Sequence, residues 1–170
     1  VGLPAAVRPE VEGAAMTTLK EVVLAHLEYT FEKEAWQPSL AMAVDGLTAS
    51  QAAWRPGPQR HSIWQIVQHV TRWKRAALDD LSGRRPDYDA VERADWQDTA
   101  GDDAAWQADV AALREVSAEI KAWVAARSDE DLARTREGES VSLAVRIQRM
   151  ATHDVYHAGQ IRYLRALQGA

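Results

Sequence analysis

Met150-Ala-Thr-His153-Asp-Val-Tyr-His157-Ala-Gly-Gln160-Ile161 sets two histidines four residues apart inside a long amphipathic stretch that closes the sequence. At 3.6 residues per turn that spacing stacks two imidazoles one turn apart, where both can reach one ion. With Met150 as the centre of a helical face, Leu143, Ile147, His153, His157, Ile161 and Leu164 all fall within about 60° of it. Two titratable groups therefore stand where a plain bundle helix would carry Leu. The same pair also suits hydrogen-bonded core histidines, so a third donor decides between the readings.

That donor is His69. The segment His61-Ser-Ile-Trp-Gln-Ile-Val-Gln-His69-Val-Thr-Arg-Trp73 reads as a helix opening on Ser62, a good N-cap residue. Ile63, Ile66, Val67, Val70, Trp73, Ala77 and Leu81 form its apolar stripe. His69 sits at the stripe's margin, about 100° from Val70, which suits a ligand shared between helices and also a solvated histidine.

Taken together, Ser62-Ile-Trp-Gln-Ile-Val-Gln-His69 and His153-Asp-Val-Tyr-His157-Ala-Gly-Gln160-Ile resemble the DinB/YfiT-like superfamily. The resemblance runs from about Leu19 to Leu167 and includes Leu47-Thr-Ala-Ser-Gln-Ala-Ala-Trp54-Arg-Pro. It implies a four-helix bundle with a three-histidine metal site on His69, His153 and His157, and a homodimer. The family includes transferases that use a low-molecular-weight thiol such as bacillithiol or mycothiol. One mycothiol-using branch isomerises maleylpyruvate, and other members are described as metal-dependent hydrolases.

Composition agrees with one small helical domain. The chain has 170 residues, 46% hydrophobic and 26% charged, with seven Trp and one Phe. Ala, Leu, Glu and Arg outnumber the β-branched residues, which favours helix. A net charge of −5 argues against nucleic acid or an anionic membrane surface as a partner. No apolar run approaches the ~20 residues of a membrane span. The absence of cysteine removes disulfides, zinc–thiolate sites and any Cys nucleophile. Residues 1–16 do not read as a signal peptide and are expected to be a disordered extension, with the DinB-like domain at 17–170 and a cytoplasmic location.

The fold class expected is all-α, a four-helix bundle with long interhelical connections. Helix one runs from Thr18 to Gly46, kinked at Pro38. A short turn follows at 52–54. Helix two runs from Ser62 to Leu81, helix three from Asp103 to Arg127, and helix four from Ser140 to Leu167. The stretch 82–102 is a loop long enough to be functional or mobile, and 127–139 is a charged connection. The only strand signal is at Ser140–Leu143.

Several other residues are candidates. Glu34 projects onto the inner face of helix one, where a buried carboxylate could act as acid or base. Asp154 is badly placed to share an ion with its neighbour but could orient an imidazole on another helix. Gln160 lies on the His153 line and could hydrogen-bond near the site. Gly159 suggests a close helix contact. His26 reads as a core histidine and His61 as solvated or substrate-facing. Arg146, seven residues before His153 on the same line, is the candidate for binding a cosubstrate carboxylate.

Three neutral imidazoles leave a fourth position open on a divalent ion, whether zinc, nickel or iron. Such an ion can activate a water or hold a thiolate. We therefore expect a thiol S-transferase acting on a small electrophile, with a hydrolase as the alternative and a non-catalytic metal-binding or dimerising bundle as the second alternative. A di-iron carboxylate site is disfavoured, because it needs E-x-x-H pairs and the sequence has none.

Overall fold

The computed structural model describes residues 18–169; the expectation for residues 1–16 lies outside them. Eight helices form among the described residues: α1 (Leu19–Phe31), α2 (Leu40–Val44), α3 (Ala49–Ala53), α4 (Ile63–Leu81), α5 (Tyr88–Arg93), α6 (Asp103–Ala125), α7 (Asp129–Ala133) and α8 (Leu143–Gln168). The fold is all-α, as expected. No strand occurs among these residues, and the signal at Ser140–Leu143 reduces to one isolated bridge between Thr135 and Ser142. No helix among the described residues is long and apolar enough to cross a membrane.

Capping explains where the helices start. Thr18, Ser39, Thr48, Ser62, Asp87, Asp102, Ser128 and Ser142 each accept a hydrogen bond from the first turn that follows. Each satisfies an N–H that the helix itself leaves without a partner. The single kinked helix expected from Thr18 to Gly46 is instead two helices, α1 and α2. Pro38 removes a donor and holds the preceding residue away from helical geometry, and Ser39 then caps a fresh start. The expected loop at 82–102 contains α5, and the charged connection contains α7. Neither shows apolar periodicity: α5 buries no residue and α7 only Leu132.

The four longest helices pack in a cycle, α1 against α8 and α6, and α4 against α6 and α8. Their interior holds two apolar clusters. One gathers Trp64, Trp106, Leu40, Ile63, Leu113 and Ile161; the other gathers Val23, Leu27, Leu78, Ile120, Leu132 and Ile147. Trp106 is fully buried, donates from Nε1 to Leu47 O at 2.8 Å, and meets Trp64 edge-on with ring centroids 5.5 Å apart.

On α8 the buried residues are Leu143, Ala144, Ile147, Ala151, Asp154, His157, Ala158, Ile161 and Leu164. Their mean direction is the line of Asp154, about 40° round the helix from Met150. The true centre of the face thus carries a carboxylate, and His153 moves to its edge. Open space surrounds the position a Cβ would take at Gly159, so a close helix contact does not account for that glycine.

Candidate metal centre

Helices α4 and α8 bring the three histidines together. His153 Nε2 lies 3.2 Å from His69 Nε2 and 2.9 Å from His157 Nε2. A tetrahedral ion with bonds of about 2.0–2.1 Å spaces its ligand nitrogens roughly 3.3 Å apart, so the cluster has close to the right aperture. The far side of two rings is already engaged. His69 Nδ1 meets Asp95 Oδ2 at 2.6 Å, and His157 Nδ1 meets Gln160 Oε1 at 2.7 Å. An acceptor on Nδ1 fixes the tautomer that leaves Nε2 free to bind a metal. The donor set therefore fits a divalent ion.

Asp95 carries no motif or periodicity in the sequence, yet it is the main support of His69. Its side chain is 5% exposed and is held by Trp73 Nε1 at 2.8 Å, Arg72 at 3.1 Å and the Trp96 amide at 3.2 Å. Burial alone would raise its pKa, but hydrogen bonds from Trp73 and His69 outweigh that and keep it below the ordinary carboxylate range. Trp96 adopts a left-handed backbone (φ 58°) and stacks between His61 and His69, with centroid distances of 3.8 Å and 4.2 Å. A non-glycine residue held at positive φ costs about 1–3 kcal/mol, and here it places an indole flat on a candidate ligand. Gln65 secures the arrangement: its Oε1 accepts from Ser62 N in the α4 capping box, while its Nε2 donates to the carbonyls of Trp96 and Gln97. Only the acid-rich loop itself hinted at Asp95, because the contact spans 26 residues.

The other sequence candidates fare differently. Gln160 reaches the site through His157 and also donates to Tyr156 OH at 2.9 Å. Asp154 bonds Lys74, not an imidazole. Glu34 is exposed in the connection after α1. Arg146 pairs with Asp80 and Glu139 and faces a separate small cleft beside Tyr88 and Met150. His26 is outside the cluster, its Nε2 buried with no partner.

The histidines open onto a cleft of about 690 Å³ that is also lined by Arg60, His61, Trp96, Tyr156, Tyr163 and Leu167. Among the described residues no Asp or Glu lines it, although acids outnumber bases across the chain. Arg60 is the one formally charged side chain among the described residues that line the cleft.

Burial, then repulsion from His69 and Lys74, pushes His153 down to about 4. Burial, then repulsion from His153 and His69, pushes His157 down to about 3. His69 is lowered by burial against the pull of Asp95. Asp154 moves the other way, raised by burial to about 6 despite the Lys74 ammonium. At pH 5 the unfolded chain protonates the histidines and ionises Asp154. Unfolding there takes up about two protons at His153 and His157 and releases about one at Asp154, a net uptake to which His69 adds. Stability of the metal-free protein should therefore fall as pH drops from 6.5 towards 4.5. Thermal melts at pH 7 and pH 5 check this; an equal or higher midpoint at pH 5 would contradict it.

Fold and site together define an all-α protein with a three-histidine cluster that fits a metal-binding enzyme. The model of the DinB superfamily matches residues 33–161, and the chain belongs to that family. No curated protein and no solved structure matches it.

Proposed function

We propose that His69, His153 and His157 hold a divalent ion, and that the protein transfers a low-molecular-weight thiol to a small electrophile bound in the adjoining cleft. The observation that carries this reading is the convergence of three Nε2 atoms on a recess open to small molecules. A divalent ion held there lowers the pKa of a thiol or water bound to it. Asp95 and Gln160 orient the imidazoles of His69 and His157, and burial keeps those rings neutral. Trp96, Leu164 and Leu167 provide apolar wall. Arg60, which has no carboxylate partner among the described residues and lines the cleft, replaces Arg146 as the group that binds a cosubstrate carboxylate.

Metal analysis of the purified protein comes first, followed by cobalt substitution and addition of a cellular thiol. A new sulfur-to-cobalt charge-transfer band is expected, because thiolate is a softer ligand than water, together with thiol consumption when a haloalkane or epoxide is supplied. Cobalt protein with no sulfur band that hydrolyses an ester or amide would transfer the assignment to a hydrolase. Bound metal with neither signal would leave a non-catalytic metal-binding protein.

A further inference from the structure

One ammonium group touches all four long helices. Lys74, on α4, donates from Nζ to Asp154 Oδ2 on α8 at 2.6 Å and to Ser117 Oγ on α6 at 2.9 Å. It also lies 4.5 Å above the Phe31 ring at the end of α1. Lys74 is 2% exposed and Asp154 0%. The group occupies a polar layer between the two apolar clusters. Val70, Leu113 and Ala158 belong to the first, and Leu78, Ile120 and Ala151 to the second, on the same three helices. Neither Lys74 nor Asp154 lines the histidine cleft, so neither can touch a substrate there.

Such a layer needs a reason. Burying an ion pair costs solvation that mutual attraction offsets only in part, and well-packed apolar replacements often fold as well or better. Asp154 Oδ1 is moreover buried with no partner, a further cost. The reason lies in where the two ends are attached. Lys74 is on the helix that carries His69, and Asp154 is on the helix that carries His153 and His157. With side chains, a helix has a radius of about 5–6 Å, so turning α8 by about 20° would move a side-chain tip by about 2 Å. Metal–ligand distances tolerate about 0.2 Å. Apolar packing is non-directional and leaves such rotations cheap. A charged hydrogen bond of 2.6 Å does not.

We propose that the Lys74–Asp154 pair is the positioning device of the histidine site, fixing the rotation and height of α8 against α4 so that His153 and His157 meet His69. The inference rests on the metal reading of those histidines. The test compares wild type, the double variant Lys74→Met/Asp154→Val, and Asp154→Asn, which removes the charge but keeps an oxygen for Lys74. Zinc affinity is measured by competition with a chromophoric chelator, and the urea midpoint is measured on metal-free protein. The double variant should keep or raise the urea midpoint yet bind zinc about 10–100-fold more weakly, the range typical when a ligand's support is lost. Asp154→Asn should bind within about threefold of wild type. A double variant with wild-type zinc affinity overturns the proposal. So does one that fails to fold, because the pair would then be holding up the fold and not the site. Wild type that binds no zinc removes the metal reading and this inference with it; wild-type binding alongside an unaffected double variant removes this inference alone.

Discussion

His157→Ala should abolish tight metal binding while the helices stay formed. Zinc sites with four protein ligands bind with about 10–16 kcal/mol, or roughly 2.5–4 kcal/mol for each ligand. Losing one ligand therefore weakens binding about 10²–10³-fold. His157 is 3% exposed, and its Nε2 is 2.9 Å from that of His153, so a water filling the gap would be poorly oriented. The effect also appears in stability. A metal bound only by the folded state adds about 2.7 kcal/mol at a hundredfold excess over Kd, and at about 2–4 °C per kcal/mol for a chain of this size chelation should lower the wild-type Tm by about 5–10 °C. The His157→Ala protein should show almost no chelator response. Asp95→Asn should fall between the two, about 10–100-fold weaker, because it disturbs the support of His69 and not a ligand. A His157→Ala protein that keeps wild-type affinity and the full chelator response would end the three-histidine assignment.

Trp106→Ala should cost about 3–5 kcal/mol of folding stability, the usual price of emptying a buried aromatic site. The side chain is fully enclosed, packs edge-on against Trp64, and satisfies the Leu47 carbonyl. Small domains have about 5–15 kcal/mol in total, so the loss is about a fifth or more of it. Trp106→Phe restores most of the volume but not the hydrogen bond, and should recover more than half. Urea unfolding with an unchanged m-value reads both. A cost below about 1 kcal/mol for Trp106→Ala would mean that the cluster collapses around the gap.

What the sequence reveals here is local. Ser62 announces α4 because a cap acts within one turn, and the helix expected from Asp103 to Arg127 appears as α6. The histidine pair is legible for the same reason. A local rule fails where the chain departs from the helix it presumes. Glu34 looked inward only on a helix assumed to continue past Phe31. Arg146 shares the His153 line, but seven residues are about 10 Å along the axis, which delivers it to Asp80. Lys74 and Asp154 resemble ordinary helix charges until three other helices close around them. Asp95 was illegible because its meaning lies in a fold-back onto α4.

That fold-back has a consequence for how the protein can change over time. Residues 95–97 are pinned to α4 by Asp95, Trp96 and the clamp from Gln65, whereas α5 just upstream buries nothing. Doubling the length of a flexible loop costs only about 0.6 kcal/mol in closure entropy. The segment between α4 and Asp95 meets the support of His69 only where Tyr88 stacks on Trp73, so the residues on either side of α5 are the natural points for insertions and grafts.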